Sequence, residues 1–274
     1  MHPAAVVLLI VLVVLCGTAL AWLFLIAPRA RRAAVKPFLR PFAHRGLWGG
    51  GVPENSKTAF RLAAEKGFAI ELDVQLSRDG EVMVFHDYTL ARMCGRDVKL
   101  ADLTAAELTA CTLNDTDETI PTFREVLRIV DGRVPLLVEL KGENGNTALC
   151  PATAALLDEY EGEWCVESFN PLLLRWFKKH RKNAVRGLLS TDLIKEKKSG
   201  SRVLNFALSA LWLTFLCRPA FHAWDKHYPR RAALRCGIER FGAASFVYTV
   251  KDQAEYEEHL AAGNCPIFDG FLPH

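Results

Sequence analysis

The chain has 274 residues, of which 50% are hydrophobic and 24% charged, a composition typical of globular proteins with an apolar excess. The formal net charge is only +3 and there is no arginine-rich arm, so the composition gives no support for a nucleic-acid partner. The 8 cysteines show neither CxxC nor zinc-finger spacing, which favours free thiols in a reducing compartment over a disulfide framework.

The first predicted element is a membrane span. Residues 4–27 carry no charged side chain, and about 20 apolar residues suffice to cross a bilayer as a helix. A cleaved signal peptide is the alternative, because residues 18–21 (TALA) resemble a cleavage site. The apolar run continues beyond that site, however, and no Lys or Arg precedes it. We therefore predict a transmembrane anchor at residues 1–28.

Basic side chains follow the predicted span, whereas only His2 and the amino terminus precede it. They are Arg29, Arg31, Arg32, Lys36 and Arg40. Positively charged flanks stay on the cytoplasmic side of a membrane. We expect a single-pass membrane protein with a basic juxtamembrane linker at 29–39 and a domain at 40–274 on the cytoplasmic side.

Strand and helix patterns alternate through the rest of the chain. Strands are predicted at 38–44, 68–77, 82–87, 134–141, 164–169, 184–190, 220–226, 245–250 and 266–270. Helices are predicted at 56–67, 104–111, 122–131, 146–160, 170–180, 204–217, 229–242 and 252–263. About eight alternating units indicate parallel βα connections and fit an α/β fold of the TIM (β/α)8 barrel type. A doubly wound sheet is the alternative, disfavoured because no G-x-G-x-x-G motif follows the first strand.

Acidic side chains stand on two neighbouring predicted strands. Glu71 and Asp73 are two residues apart and share one strand face, and Glu139 lies near the end of a later strand. In a TIM barrel the carboxyl ends of the strands meet at one face, so these carboxylates should converge. Buried carboxylates are costly without a cation. The set therefore predicts a hard divalent ion, Mg²⁺ or Ca²⁺.

Two histidines and two cations are expected beside these carboxylates. His44 and His86 each end a predicted strand and could act as general acid and general base. Arg45 and Lys141 carry positive charge suited to a phosphate. Taken singly, a strand-end histidine is more often structural, and a Glu-x-Lys pair is usually an ordinary ion pair. Convergence of all these groups at one barrel face favours a metal site with two histidines.

Several motifs resemble the glycerophosphodiester phosphodiesterase family. They are HRG at 44–46, PENS and TAF within 53–60, GFAIELDVQLSRDGEVMVFHD at 67–87, and VELK at 138–141. Most of the matching motifs lie before residue 141, and fewer follow it. ESFNPLLL at 167–174 and YTVKD at 248–252 also resemble segments of the family.

This resemblance implies a TIM-barrel phosphoric diester hydrolase that releases glycerol 3-phosphate and an alcohol with a divalent cation. By analogy, Glu71, Asp73 and Glu139 would hold the metal, and His44 and His86 would form the acid/base pair. Arg45 and Lys141 would bind the phosphate. Glu54 and Asn55 would shape the rim, with Glu54 near the metal. Tyr248 stands where the family often has Trp and would still offer an aromatic wall.

A second apolar stretch leaves two substrate classes possible, soluble glycerophosphodiesters and membrane lysophospholipids. Residues 203–217 carry no charge but are shorter than a membrane span. They are predicted to form either an ordinary barrel helix or an insertion that dips into the bilayer, with the lysines just before them on anionic headgroups. In the second case membrane lysophospholipids become reachable, and the activity would be that of a lysophospholipase D. An inactive, membrane-tethered domain that binds phosphodiester headgroups is the alternative from another class.

Overall fold

The structure, a computed structural model, describes residues 2–142 and 145–274. Its strands are β1 (Phe42–His44), β2 (Ala69–Leu76), β3 (Val82–Val84), β4 (Leu136–Leu140), β5 (Trp164–Ser168), β6 (Val185–Ser190), β7 (Phe221–Asp225), β8 (Ala244–Val250) and β9 (Cys265–Phe268). All of these except β3 run parallel in a single sheet. Because β1 pairs with both β2 and β9, the sheet closes into an eight-stranded barrel. The TIM barrel is confirmed, and the open doubly wound sheet is excluded.

Helices fill the connections between the strands. They are α1 (Pro3–Ile26), α2 (Arg32–Val35), α3 (Lys57–Glu65), α4 (Ala91–Cys94), α5 (Ala105–Thr109), α6 (Phe123–Val130), α7 (Leu149–Asp158), α8 (Pro171–His180), α9 (Arg202–Ser209), α10 (Thr214–Cys217), α11 (Ala232–Arg235) and α12 (Gln253–Ala261). Local signals set their ends. The Ser56 side chain, for example, accepts a hydrogen bond from the amide of Ala59 and caps α3.

The direction of strand β3 differs from the prediction. Residues 82–87 were expected to form a barrel strand, but β3 pairs antiparallel with β2. The reason is the length of the connection, because only five residues separate Leu76 from Val82, and a parallel crossover needs a dozen or more. His86 therefore enters the site from a hairpin that folds back on β2.

The side chains that point into the barrel form an apolar layer low in the barrel and a polar layer nearer the carboxyl ends of the strands. Phe42, Ala69 and Leu137 belong to one buried apolar cluster inside the barrel. The side chains two residues further along the same strands are His44, Glu71 and Glu139, which point to the same side. Each of these three strands thus carries an apolar residue low in the barrel and a polar one nearer its carboxyl end.

One glycine makes the interior packing possible. A Cβ atom at Gly187 would lie 1.8 Å from the ring of Phe221, which is fully buried. That ring stacks on Phe246 with centroids 4.3 Å apart. The aromatic pair fills the barrel floor only because β6 has no side chain at this point.

The amino-terminal helix α1 stands away from the barrel. It is the one described helix long and apolar enough to cross a membrane, and none of its most apolar window is buried. Its last turn nevertheless contacts the barrel, since Phe24 packs on Phe215 with ring centroids 5.8 Å apart. The segment that follows it also packs, because Val35 and Phe38 are buried in the barrel floor.

The apolar stretch at 203–217 differs from its expected form. A single helix was predicted over 204–217, whereas the structure contains α9 and the short α10. Leu211 adopts a left-handed backbone conformation with φ of 58° and ends the helical run. The sequence offers no Gly or Pro at this point, which is why the break was not predicted.

Candidate active site

Three buried carboxylates converge at the carboxyl ends of β2 and β4. One oxygen from each of Glu71, Asp73 and Glu139 lies within 4.8 Å of the others. All three side chains are buried. The sheet register explains the convergence, because Asp73 and Glu139 are directly paired across the two strands.

The crowding of these carboxylates shifts their pKa values apart. Burial, followed by repulsion from Asp73, raises the pKa of Glu71 well above its ordinary value. Burial likewise raises the pKa of Glu139 to about 7. Burial alone would raise the pKa of Asp73 too, but Lys141 and Arg45 hold it well below its ordinary value. An oxygen-only cluster with this excess of negative charge fits a hard divalent cation such as Mg²⁺ or Ca²⁺.

Two cationic side chains contact the same carboxylates. Nζ of Lys141 lies 3.0 Å from Oδ1 of Asp73 and 2.9 Å from Oε1 of Glu139. Nε of Arg45 lies 3.5 Å from Oδ2 of Asp73. The Arg45 backbone amide also donates a hydrogen bond to Glu71, at 3.0 Å. The loop after β1 is thus tied to β2 through both the backbone and the side chain of one residue.

His44 is held by an aspartate from the last strand. Its Nδ1 atom lies 2.7 Å from Oδ2 of Asp269, and its Nε2 atom lies 4.0 Å from Oε2 of Glu71. The other oxygen of Asp269 accepts from Nζ of Lys251, at 2.6 Å. Burial lowers the pKa of His44, and the hydrogen bond to Asp269 offsets part of that shift.

His86 has a similar arrangement built from local residues. Its Nδ1 atom lies 2.6 Å from Oδ1 of Asp87, whose second oxygen accepts from Nε of Arg92, also at 2.6 Å. Burial lowers the pKa of His86, although the charge of Asp73 works against that shift. In both histidines a carboxylate engages Nδ1, which leaves Nε2 for other partners.

The predicted rim residues are bound into this network. Glu54 accepts hydrogen bonds from Arg45 at 2.7 Å and from Arg92 at 2.6 Å. The Asn55 side chain donates to Oδ2 of Asp73, at 2.9 Å. Asn55 has a left-handed backbone, with φ of 53°, a conformation that asparagine tolerates better than most residues. Glu54 is therefore connected to the carboxylate cluster through Arg45.

The loop between β1 and α3 depends on one close approach. Gly46 has φ of 81°, and a Cβ atom there would lie 2.8 Å from the backbone of Ala59 in α3. The indole of Trp48 then donates to the carbonyl oxygen of His44, at 2.9 Å. These contacts fold the loop back over the strand end that carries His44 and Arg45.

A cavity of about 910 Å³ opens at this end of the barrel. Its polar end is lined by His44, Arg45, Glu71, His86, Glu139 and Lys141. Tyr248 forms part of the wall and donates its hydroxyl to the carbonyl oxygen of Ser190, at 3.1 Å. A second part of the lining is apolar and consists of Leu172, Leu193, Leu204, Leu208, Leu213 and Leu216. We call this second part the apolar arm.

Several site residues escaped the sequence analysis. Asp269, Asp87 and Arg92 orient the two histidines but were not singled out. Glu167, on β5, lies opposite Glu139 in the sheet and lines the cavity, and one of its buried oxygens has no hydrogen-bond partner among the described residues. Burial raises the pKa of Glu167 well above its ordinary value. Glu167 and Asp269 do lie near the carboxyl ends of the predicted strands at 164–169 and 266–270, which is the signal that could have found them.

Comparison with known proteins agrees with this geometry. The barrel and its polar carboxyl-terminal face define an enzyme of the TIM-barrel class. The sequence profile of the Glycerophosphoryl diester phosphodiesterase family matches residues 44–269. The chain therefore belongs to that family, which confirms both the resemblance in the motifs and the expected class of phosphoric diester hydrolase.

Individual relatives cover the chain to different extents. A glycerophosphodiester phosphodiesterase from Caldanaerobacter subterraneus is 28% identical over 81% of this chain and 89% of its own length. Lysophospholipase D GDPD1 from Rattus norvegicus is 31% identical over 45% of this chain and 42% of its own length. The chain spans about half the length of a Bacillus subtilis relative, 51%, at 34% identity.

A solved structure shares the fold. The phosphodiesterase from Oleispira antarctica, determined with its product sn-glycerol-3-phosphate, superposes with a TM-score of 0.69. The two chains are 23% identical, and the match covers 84% of this chain and 92% of the other. The barrel is thus the family's architecture, while the roles of particular side chains rest on the geometry described above.

Proposed function

We propose that this chain hydrolyses glycerophosphodiesters to glycerol 3-phosphate and an alcohol in the cavity described above. The observation that carries the proposal is the convergence of three buried carboxylates with His44 and His86 at one face of the barrel. Membership of the family and the product bound to the Oleispira antarctica phosphodiesterase support the same reaction.

Glu71, Asp73 and Glu139 are the residues that would hold the divalent cation, Mg²⁺ or Ca²⁺. They fit it because their oxygens are close together, buried and mutually repulsive. When bound, such a cation offsets charge on the non-bridging oxygens of a phosphodiester. Lys141 and Arg45 already contact these carboxylates, and their N–H donors suit the remaining phosphate oxygens.

His44 and His86 are proposed to move the protons. One Nε2 atom accepts the proton of the nucleophilic hydroxyl as the new P–O bond forms, and the other donates a proton to the leaving alcohol oxygen as the old P–O bond breaks. The aspartates at Nδ1 fix both rings in place. The nucleophile is either water, which gives glycerol 3-phosphate directly, or the neighbouring hydroxyl of the substrate's own glycerol. The second route forms a cyclic phosphate, which water must then open to give glycerol 3-phosphate.

Lysophospholipids form a second candidate substrate class, and the apolar arm favours them. Six leucines line that arm next to the polar end of the cavity, which suits an acyl chain attached to a glycerophosphodiester. The similarity to a protein named lysophospholipase D supports the same extension. Both reactions would use the same carboxylates and histidines.

A direct assay tests these proposals. The full chain is incubated with glycerophosphocholine, glycerophosphoethanolamine or lysophosphatidylcholine, in the presence of Mg²⁺, Ca²⁺ or EDTA. We expect metal-dependent turnover that His44→Ala and His86→Ala each reduce by roughly 10²- to 10⁴-fold, and the substrate ranking chooses between the two classes. Binding without turnover on every substrate would instead indicate an inactive headgroup-binding domain.

The same chain is proposed to be a single-pass membrane protein, with the anchor at 1–28, the linker at 29–39 and the barrel domain at 40–274. Support comes from the length and exposure of α1. The positive charges that follow it favour a cytoplasmic barrel.

A further inference from the structure

The connection between β6 and β7 carries an exposed apolar surface. We call residues 191–217, which include α9 and α10, the β6–β7 lobe. Within α9, Val203 is 80% exposed, Phe206 51% and Leu204 49%. Three exposed apolar side chains within one short helix indicate a surface that contacts a lipid or protein partner.

The lobe is joined directly to the end of the predicted membrane span. Phe215 of α10 packs on Phe24 of α1. The guanidinium of Arg218, the residue that directly follows the lobe, donates to the carbonyl oxygens of Phe24, at 2.9 Å, and Ala27, at 2.7 Å. It also lies over the Phe24 ring, 4.6 Å from its centroid. Where α1 enters a membrane, these contacts keep the lobe beside its boundary.

The charge of the lobe suits a lipid surface. Its first half contains Lys195, Lys197, Lys198 and Arg202, against the two acidic residues Asp192 and Glu196. The side chains of Lys195 and Lys198 are 70% and 61% exposed, and each lies 3.8 Å from a carboxylate of the lobe. Lys197 and Arg202 are also exposed and supply the net positive charge. Basic side chains next to an exposed apolar helix face are typical of segments that lie in the interface of an anionic bilayer.

We propose that the β6–β7 lobe docks on the membrane, with Val203 and Phe206 of α9 in the lipid interface and the neighbouring basic side chains on anionic headgroups. Leu204 and Leu208 of the same helix line the apolar arm of the cavity. Docking therefore places the apolar arm next to the leaflet that holds lysophospholipids. The access route, unlike the docking itself, rests on the proposed function.

Photo-crosslinking tests the docking without any need for activity. The full chain is reconstituted in vesicles of phosphatidylcholine and phosphatidylglycerol, with p-benzoylphenylalanine placed at position 203, 206 or 260. Leu260 on α12 is the matched control, because it is also apolar and 41% exposed. We expect lipid adducts at 203 and 206 at several times the yield at 260. Equal yields at the three positions, or crosslinks from 203 and 206 to a second copy of the chain instead of lipid, would overturn the proposal.

Kinetics test the access route. In the same vesicles, Val203→Asp should lower the hydrolysis of lysophospholipid about tenfold. It should leave the hydrolysis of a soluble glycerophosphodiester unchanged, and Leu260→Asp should change neither rate. An equal loss on both substrates would contradict the route. If the wild-type chain hydrolysed neither substrate, the proposed function would fail, whereas the crosslinking result would still decide the docking.

Discussion

Nδ1 of His44, on the first barrel strand, lies 2.7 Å from Oδ2 of Asp269, just beyond the last. The two residues are 225 positions apart in the chain, and only closure of the barrel between β1 and β9 brings them together. Asp269 is buried and its second oxygen binds Lys251. The pair therefore fixes the orientation of a proposed proton-transfer group at the seam of the barrel.

Asp269→Asn should impair catalysis more than substrate binding. An amide in place of the carboxylate no longer stabilises a protonated His44 ring and can set the wrong tautomer. We expect kcat for glycerophosphodiester hydrolysis to fall by roughly 10²-fold, with KM changed little. Asp158→Asn, which removes only a surface ion pair with Arg181, is the control and should retain wild-type kinetics. An increase in KM at constant kcat would argue against a positioning role for Asp269.

The two histidines should differ in their response to the leaving group. A variant that lacks the general acid recovers when the leaving group needs no protonation, whereas a variant that lacks the general base does not. We therefore expect a p-nitrophenyl phosphodiester of glycerol to restore most of the rate in one of His44→Ala and His86→Ala, but not in both. The measurement is the ratio of kcat/KM for this substrate and for glycerophosphocholine. Equal ratios in the two variants would contradict the division of roles.

The divalent cation should stabilise the fold as well as support activity. Binding relieves repulsion among Glu71, Asp73 and Glu139, and a ligand at 100 times its Kd adds about 2.7 kcal/mol to the free energy of unfolding. We expect Mg²⁺ or Ca²⁺ to raise the thermal unfolding midpoint by several degrees over EDTA in the wild type. Glu71→Gln should remove most of this increase. An increase of the same size in both proteins would place the cation elsewhere.

How much the sequence predicts depends on how local each feature is. The alternation in residues 69–76 puts Glu71 and Asp73 on one face, and a family motif covers the same segment, so both were found. The predicted direction of β3 was wrong because the prediction rested on hydrophobic alternation alone, whereas the five-residue connection after Leu76 is too short for a parallel crossover. The His44–Asp269 pair and the apolar arm arise from barrel closure and from the path of a long connection. Neither feature produces a periodic pattern within a short stretch of the sequence, so neither was predicted.

Acid should destabilise the barrel through His222. This side chain is fully buried on β7, and neither ring nitrogen has a hydrogen-bond partner in the part of the chain that the structure describes. Burial, followed by the charge of Arg231, lowers its pKa to about 4. The imidazole of His222 is therefore protonated below about pH 6.5 in the unfolded chain, but only near pH 4 in the folded chain. Stability from the neutral ring is thus fully present above pH 6.5 and is lost as the pH falls towards 4.

Replacement by an apolar residue isolates this effect. His222→Leu should show a smaller decrease in the unfolding midpoint between pH 6.5 and pH 4 than the wild type. The comparison is made by thermal unfolding across that range in EDTA, so that metal binding does not contribute. The same decrease in both proteins would assign the acid sensitivity to other groups.

The amino-terminal helix should remain part of the mature protein. A retained α1 predicts an intact mass that includes residues 2–27 and resistance to extraction by alkaline carbonate. A signal peptide predicts a mass that begins after residue 21 and release into the soluble fraction. Labelling of Cys94 by an impermeant reagent only after the cells are opened would place the barrel in the cytoplasm. Labelling of Cys94, whose side chain is partly exposed, on intact cells would indicate the opposite orientation, with the barrel outside.

The most direct measurement is phosphorus-31 NMR of glycerophosphoethanolamine incubated with the full chain. The account predicts that the diester resonance is replaced by that of glycerol 3-phosphate when Mg²⁺ or Ca²⁺ is present. EDTA should stop the conversion, added metal should restore it, and Glu71→Gln should abolish it. Conversion that continues in EDTA, or in folded Glu71→Gln, would contradict a metal-dependent reaction at the carboxylate cluster of β2 and β4.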